Sequence, residues 1–301
     1  MPSPALQRPL AVGSLVYAAA IWGLIWYPYR LLQDDGVGGV VSSLASYAIP
    51  LVLALPFFWP HLKPARPYLG WLALLGLAAG WTNMGYVLAV IGGEVMRVVL
   101  LFYLAPVWTV IFSRWLLGER LSVWGWLIMV FSFAGALTML WPQGGGLPLP
   151  ANQAEWIALS AGATFALANV VTRKLNEADI WAKPLAVWGG VTVVALVALM
   201  AESRPFEFAA GAAASVWLLL LGVGLCIGLM TVAVQYGLTH TPANQAIIIF
   251  LFELVVAAFA SWFLANEALT LREWLGGVLI IAGSLFSGHV EKKHENPQPA
   301  A

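Results

Sequence analysis

The sequence predicts an all-α integral membrane protein, with ten transmembrane helices arranged as two inverted five-helix repeats. Three observations predict this fold: an apolar composition, ten apolar segments of spanning length, and a segment that recurs once. Of the 301 residues, 61% are hydrophobic and 9% are charged, whereas an average globular chain carries roughly 25% charge. The formal net charge is zero and no basic face fit for nucleic acid is visible, so the lipid bilayer is the expected surrounding.

The recurring segment is 104–122, LAPVWTVIFSRWLLGERLS, which returns as 252–270, FELVVAAFASWFLANEALT. A constant offset of 148 residues, with no gap, aligns Gly118 with Asn266, Glu119 with Glu267, and Trp126 with Trp274. Carried backwards, the same offset aligns Gly76 with Gly224 and Gly80 with Gly228. An internal duplication is the simplest explanation.

A helix needs about 20 apolar residues to cross the hydrocarbon core, and cutting the sequence at Gly, Pro and charged clusters gives ten such segments. The first five predicted spans are 10–32, 38–59, 68–91, 94–115 and 122–141. The second five are 153–173, 181–200, 215–238, 242–264 and 271–288. The predicted organisation is a first repeat at 1–141, a Gly/Pro-rich linker at 142–152, a second repeat at 153–288 and a disordered tail at 289–301.

Ten spans place both termini on one side of the membrane, so Lys and Arg can be counted by side. The side with the termini collects ten of the 14 and the other side four, which predicts cytoplasmic termini in a bacterial-type inner membrane. Because each repeat has an odd number of spans, the second repeat enters the membrane from the opposite face. Inverted repeats of this kind build many secondary transporters, which bind their solute near the midplane between the halves. A complete inverted pair in one chain also predicts a functional monomer.

The positions that carry the repeated pattern are Pro106, Gly118, Glu119 and Arg120 in the first half and Glu253, Asn266 and Glu267 in the second. Together with the two five-span halves, this pattern resembles the EamA-type exporters of the drug/metabolite transporter superfamily over almost the whole chain. The abundance of Trp and Tyr is similar to the YddG-type exporters of aromatic and other neutral amino acids. The resemblance implies a carrier that exports small amphipathic metabolites, amino acids first, by alternating access.

Ionised groups at membrane depth cost roughly 2.5 to 3.5 kcal/mol on insertion scales, so each needs a reason. Glu253 lies near the middle of the ninth span, as either a proton-coupling or substrate-ammonium group or a structural glutamate. Arg97 follows Glu94 by three residues on one helical face. It either forms an interfacial salt bridge there or holds a substrate carboxylate with its forked donors. Gly92 and Gly93, just before them, would allow that helix end to move.

Neutral polar and aromatic residues inside the spans either line a solute path or bond and pack between helices. The polar candidates for the path are Asn83, Tyr86, Tyr103, Asn169, Gln235 and Gln245. Trp22 and Trp81 lie deep enough to stack on an aromatic ligand, whereas most Trp residues fall at span ends as interfacial anchors. Small-x-x-x-small pairs predict close packing within the chain at Gly76, Gly80, Gly224 and Gly228. Pro106 predicts a kink.

Motifs of catalysis and nucleotide binding are absent: the sequence has no His-Glu-x-x-His and no Gly-Lys-Ser/Thr phosphate loop. The four His fall in predicted loops and the tail, so neither a metal site nor a cofactor is expected. Two rival functions remain open within transport: an exporter of hydrophobic cations or drugs, which needs an ionised Glu253, and an exporter of sugars. Outside transport, the rivals are an integral-membrane enzyme acting on lipid and a structural membrane subunit.

Overall fold

A computed structural model of the chain describes residues 4–92, 101–119, 123–140, 152–201 and 206–265, together with 98, 150, 271, 274, 275, 278 and 279. This described part contains α-helices, three short 3-10 helices and no strand. The prediction of an all-α membrane protein is confirmed at this level. Most of the predicted linker at 142–152 and all of the predicted tail at 289–301 lie outside the described residues.

We number the α-helices in chain order. The first five are α1 (Pro4–Asp34), α2 (Gly39–Phe58), α3 (Leu69–Gly92), α4 (Ala105–Leu116) and α5 (Val123–Leu140). The next five are α6 (Gln153–Lys174), α7 (Ala182–Leu199), α8 (Ala214–His240), α9 (Ala243–Phe250) and α10 (Phe252–Ala265). Helices α2, α3, α5, α6 and α7 match their predicted spans to within one residue at each end. Of the last predicted span, 271–288, the five described residues are helical.

Seven helical segments in the described part are long and apolar enough to cross a bilayer, with mean hydropathies from 1.4 to 2.5. They are Gln7–Asp34, Gly39–His61, Arg66–Ala89, Gln153–Lys174, Ala182–Leu199, Ala214–His240 and Gln245–Leu264. Large apolar side chains cover the outside: Phe57 is 74% exposed and Trp115 is 82% exposed. Such a surface fits lipid as the solvent, because exposed apolar patches of this extent are rare on soluble monomers.

Close packing between the two halves of the chain dominates the interior. Helix α3 packs mainly on α6 and α7, while α8 packs mainly on α1 and α2. Helix α2 also lies against α7, α4 against α6, and α1 against α10. Consecutive helices such as α1 and α2 touch each other far less. The first and second halves are therefore interleaved rather than folded as two separate bundles.

Glycines permit the closest of these crossings. A Cβ added at Gly190 of α7 would overlap the backbone of Gly76 in α3, and one at Gly80 would lie 2.8 Å from the Gly190 carbonyl oxygen. The crossing of α8 with α2 is similar. A Cβ added at Gly224 would lie 2.9 Å from the Ile49 side chain, and one added at Gly228 would lie 2.8 Å from the Pro50 side chain. The small-residue positions in the sequence thus lie at helix crossings within the chain.

The fourth predicted span, 94–115, is not a continuous helix. Leu101 and Phe102 are helical, Tyr103 and Leu104 form a turn, and α4 begins at Ala105. Two backbone bonds of the i to i−3 type tighten the chain here: Leu104 N–H to Leu101 C=O at 3.3 Å, and Val107 N–H to Leu104 C=O at 3.0 Å. The cause is Pro106 in the first turn of α4, which has no N–H for an i to i−4 bond.

The ninth predicted span, 242–264, tightens at the equivalent position. Leu251 separates α9 from α10 and stands 148 residues after Tyr103. Its N–H bonds to Ile248 C=O at 3.2 Å, and Leu254 N–H bonds to Leu251 C=O at 3.1 Å. Tightened stretches inside helices often mark hinges, so both halves place a candidate hinge at the same point of the repeat.

Candidate functional site

Four aromatic rings from different parts of the chain meet beside the two tightened turns. They are Trp22 of α1, Phe102, Phe165 of α6 and Phe250 of α9, which we call the aromatic cluster. Ring centroids lie 5.0 Å apart for Trp22 and Phe250, 5.7 Å for Trp22 and Phe165, and 5.5 Å for Phe102 and Phe165. Phe102 and Phe250 are equivalent at the 148-residue offset, so each half contributes the same position to the cluster.

Two glycines bring the helices close enough for these rings to meet. A Cβ at Gly162 of α6 would overlap the Phe102 carbonyl oxygen, and a Cβ at Gly23 of α1 would lie 2.8 Å from the Glu253 carbonyl oxygen. The Phe102 carbonyl would accept a bond from residue 106 in a regular helix. Pro106 has no N–H, which leaves that oxygen available to the backbone of Gly162.

Glu253 lies at one edge of the aromatic cluster, in the first turn of α10. Tyr103 and Tyr86 of α3 both lie close enough to its carboxyl group to interact with it electrostatically. Tyr86 also meets the Phe102 ring edge-on, with centroids 5.2 Å apart. The cluster therefore has an apolar side made of rings and a polar edge made of two hydroxyls and one carboxyl group.

The structure brings Trp22, Tyr86, Tyr103 and Glu253 together and places other predicted site residues elsewhere. Trp81 is 37% exposed on α3 and donates its indole N–H to Ser160 Oγ at 3.0 Å. Gln235 is buried and accepts a hydrogen bond from Thr172 Oγ1 at 3.0 Å. Gln245 is buried near the start of α9. These contacts are of the helix-to-helix kind.

Two predicted amides retain unpaired atoms inside the bundle. Among the residues described, Asn83 Oδ1 and Asn169 Nδ2 are buried with no hydrogen-bond partner. Buried polar atoms are normally bonded. Of the other predicted positions, Arg97 and Gly93 lie outside the described residues, and Gly92 is the last residue of α3. Gly76, Gly80, Gly224 and Gly228 are at the crossings given above, and Pro106 is beside the turn at Tyr103.

A second polar centre, not anticipated from the sequence, joins several helices at the opposite end of α4 from the turn. Arg173 Nη1 donates to the Thr239 carbonyl oxygen at 2.6 Å, and its Nε lies 3.6 Å from Glu119 Oε1. Glu119 Oε2 accepts from the Ala243 N–H at 3.2 Å, in the first turn of α9. Lys183 of α7 is fully buried and donates to Thr239 Oγ1 at 2.7 Å. We call these five residues the Glu119 network.

Local geometry directs Glu119 into this network. Gly118, two residues after the end of α4, has a φ of 71°, a left-handed conformation that suits glycine. The Glu119 N–H turns back to donate to Ser113 C=O at 3.3 Å. Burial raises the pKa of the Glu119 carboxyl group, while Arg173 and the Ala243 N–H act in the opposite direction. The sequence signal for the network was the recurrence of the Gly118-Glu119 pair, whose partners could not be read from spacing.

An apolar-surfaced helical bundle with interleaved halves and an internal site of rings and one carboxyl group is typical of multi-pass membrane transporters. The chain belongs to the EamA-like transporter family, whose model matches residues 10–141 and again residues 152–288. This places it among the EamA-type proteins of the drug/metabolite transporter superfamily, as the repeated segment indicated. It is a transporter and not an enzyme.

Individual relatives agree with this class. An uncharacterized transporter of Archaeoglobus fulgidus is 28% identical over 71% of this chain and 75% of its own length. The riboflavin transporter of Rhizobium johnstonii is 25% identical over 92% of this chain and 94% of its own length. The S-adenosylmethionine uptake transporter of Rickettsia prowazekii is 25% identical over 90% of this chain and 94% of its own length. A solved crystal structure superposes on this chain with a TM-score of 0.71 at 15% sequence identity. The match covers 98% of this chain and 100% of the other chain, and it supports the fold alone.

Proposed function

We propose that the chain is an inner-membrane secondary transporter that exports small amphipathic metabolites by alternating access. The leading substrate class is amino acids, including aromatic ones. The observation that carries this proposal is the aromatic cluster beside Glu253, at the point where both halves change helical geometry. A flat ring fits an environment of rings, and an amino group fits a carboxylate. Hinges beside the site give the two halves a way to rock around a bound solute.

The proposal includes two inverted five-helix repeats, 1–141 and 153–288, joined by the linker 142–152. Three features support it: the 148-residue offset, the two family matches, and the exchange symmetry of the packing. In the repeat, α1, α2 and α3 of the first half are equivalent to α6, α7 and α8 of the second. The contacts of α3 with α6 and α7 therefore correspond to the contacts of α8 with α1 and α2. On this arrangement both termini and the tail 289–301 are cytoplasmic, and the monomer contains the whole solute path.

Uptake into proteoliposomes tests the function. Labelled phenylalanine, tryptophan, threonine and lysine are compared with riboflavin and S-adenosylmethionine, the solutes named for two relatives, with and without an imposed pH gradient. Saturable uptake of tryptophan, inhibited by unlabelled neutral amino acids, is the expected result. Stimulation by the gradient would indicate proton exchange. Uptake of riboflavin or S-adenosylmethionine alone would replace the amino-acid claim, and no uptake of any solute by folded protein would contradict it.

A single substitution links uptake to the site. Trp22→Ala removes one ring of the aromatic cluster and should raise the half-saturation concentration for tryptophan by about two- to tenfold, since an aromatic pair contributes about 0.5 to 1.5 kcal/mol. Trp156→Ala is the matched control, because Trp156 lies on the outer surface of α6 and is 60% exposed. Equal half-saturation concentrations for the two folded variants would exclude Trp22 from the solute site.

A further inference from the structure

We propose that the Glu119 network is an entry site for the carboxylate of the transported solute, and that the Glu119 carboxyl group occupies this site in the structure. The inference rests on the proposed function and adds a second site to it, separate from the aromatic cluster. Solutes that carry a carboxylate bind at the network, whereas amines without a carboxylate do not.

The network has more basic groups than acidic ones. Arg173 and Lys183 lie close enough to repel each other electrostatically. Both bond to Thr239, whose carbonyl oxygen accepts from Arg173 and whose hydroxyl group accepts from Lys183. Among the described residues, Glu119 is the carboxylate that forms a salt bridge with one of this pair. Two largely buried cations with one acid leave an excess positive charge, which favours an anion.

Lys183 carries most of this excess. Its side chain is fully buried, yet its ammonium group donates to neutral oxygens, Thr239 Oγ1 at 2.7 Å and the Thr172 carbonyl oxygen at 3.4 Å. Asp179 acts on it electrostatically, but the Asp179 carboxylate is bonded to His61 Nδ1 at 2.7 Å. Lysines are rarely buried without a paired counter-ion. An anion bound in the network would supply one.

Glu119 satisfies the cations of the network poorly. Its Oε1 lies 3.6 Å from Arg173 Nε, too far for a strong hydrogen bond, and its Oε2 accepts from the Ala243 N–H at 3.2 Å. Charge-assisted hydrogen bonds are usually about 2.7 to 2.9 Å long. Burial also raises the pKa of this carboxyl group, so the folded protein holds its charge at a cost. A carboxylate that is not tethered to the chain can approach Arg173 and the first turn of α9 more closely.

Two further donors near the network have no partner in the described part of the chain. Thr241 is 2% exposed in the short segment between Thr239 and Ala243, and its hydroxyl group is unbonded. Asn169 of α6 is 4% exposed, and its Nδ2 is unbonded as well. Buried polar atoms normally have a partner, and a carboxylate has several acceptor sites to offer. These donors therefore point to a ligand that accepts hydrogen bonds.

Asn169 also connects the network to the aromatic cluster. Phe165, Asn169 and Arg173 are spaced four residues apart along α6 and so lie on nearly the same helical face. The eight residues from Phe165 to Arg173 correspond to about 12 Å along the helix axis. On the proposed topology the network is on the cytoplasmic side of the cluster. An exported solute reaches the network first, and Asn169 is the next donor for its carboxylate on the way to the cluster.

Two ligands that differ in one group test this inference: phenylalanine, and phenylalaninamide, in which a neutral amide replaces the carboxylate. Binding is measured in detergent as the concentration that half-maximally stabilises the purified protein against heat, which does not depend on transport. Glu119→Gln removes the competing carboxylate, so phenylalanine should bind this variant at least about fivefold more tightly than the natural protein. Binding of phenylalaninamide should change by less than about twofold. An equal change for both ligands would overturn the inference, because a purely structural network would affect them alike.

Lys183→Met should weaken phenylalanine binding by about tenfold and leave phenylalaninamide within about twofold. Thr241→Val preserves side-chain size and should weaken phenylalanine binding by about threefold, which keeps the test decisive if Lys183→Met does not fold. Lys63→Met and Glu177→Gln are matched controls, because both residues are exposed in loops.

The outcomes separate this inference from the proposed function. Phenylalanine uptake by proteoliposomes, with the same ligand preference in the natural protein and all folded variants, would leave the proposed function standing and remove only the entry site. Phenylalanine that does not stabilise the natural protein or Glu119→Gln would also overturn the inference. Tighter binding of phenylalanine alone to Glu119→Gln, with weaker binding to Lys183→Met or Thr241→Val, is the result that supports it.

Discussion

Replacing Gly190 with alanine is expected to lower the thermal unfolding midpoint of the purified protein by on the order of 5 to 10 °C. The new methyl group would overlap the backbone of Gly76, where α7 crosses α3. A side chain could rotate away from such a contact, but a backbone cannot. The two helices must move apart, and they are among the most extensively packed pairs in the described part of the chain. Overpacking of this kind typically costs 1 to 3 kcal/mol or more.

The adjacent residue provides a matched control. Gly189→Ala makes the same chemical change one position earlier in α7, where an added Cβ meets nothing within 4 Å. Alanine is favoured over glycine in a helix by up to about 1 kcal/mol, so this variant should be as stable as the natural protein or slightly more so. Unfolding midpoints in detergent, followed by the loss of monodisperse protein after heating, measure both. Equal midpoints for the two variants would show that the crossing tolerates a wider separation.

The sequence was sufficient for the helices because apolar length and breakers determine them locally. Predicted spans such as 68–91 and 153–173 agree with α3 and α6 to within one residue because a bilayer fixes how many apolar residues a helix needs. The tightened turns were harder. Pro106 predicted one of them, but no proline or glycine lies beside Leu251 in the sequence. Its turn is visible only through its equivalence to Tyr103 at the 148-residue offset.

For the site, too, residues marked by a local signal could be predicted, whereas residues brought together by helix packing could not. Glu253 could be recognised alone, because an acid at membrane depth is conspicuous in any sequence. Its neighbours Tyr86 and Tyr103 were candidates among many similar residues, and their selection required the crossing of α3 with the segment before α4. Phe102, Phe165 and Phe250 were missed because an aromatic residue in an apolar span looks like ordinary core. Arg173 was missed because it lies at a span end, where positive charge is expected on topological grounds.

The second large effect is expected at the Glu119 network. Arg173→Met removes the donor to the Thr239 carbonyl oxygen and the cation that pairs with Glu119. It leaves a half-buried carboxylate with the Ala243 N–H as its remaining bond in the described part of the chain. The Arg173 and Glu119 side chains are 28% and 23% exposed, and removing one partner of a largely buried charged pair is destabilising, so the free energy of unfolding should fall by about 2 to 3 kcal/mol. Arg114→Met is the control, because Arg114 is exposed on α4.

Glu119→Gln should behave differently from Arg173→Met, although both remove the same ion pair. Burial raises the pKa of Glu119, which means that the folded protein disfavours its charge despite Arg173. The glutamine amide has no charge to desolvate, and its single oxygen can still accept from the Ala243 N–H in place of Glu119 Oε2, while the ion pair with Arg173 is lost. We expect this variant to lose less than about 1 kcal/mol of stability. A loss as large as that of Arg173→Met would mean that the ion pair outweighs the burial of the carboxylate.

The pH dependence of stability separates these two explanations. A carboxyl group whose pKa is higher in the folded than in the unfolded state binds protons more readily when folded. Its contribution to stability is therefore largest at low pH and is lost as the pH rises through the interval between the two pKa values. As the pH rises through that interval, the natural protein should lose unfolding free energy relative to Glu119→Gln. The opposite slope would require a lowered pKa and an ion pair that stabilises the fold. Because the network ties Arg173 of α6 to the first turn of α9, either outcome also decides whether protonation tightens or loosens this end of the bundle.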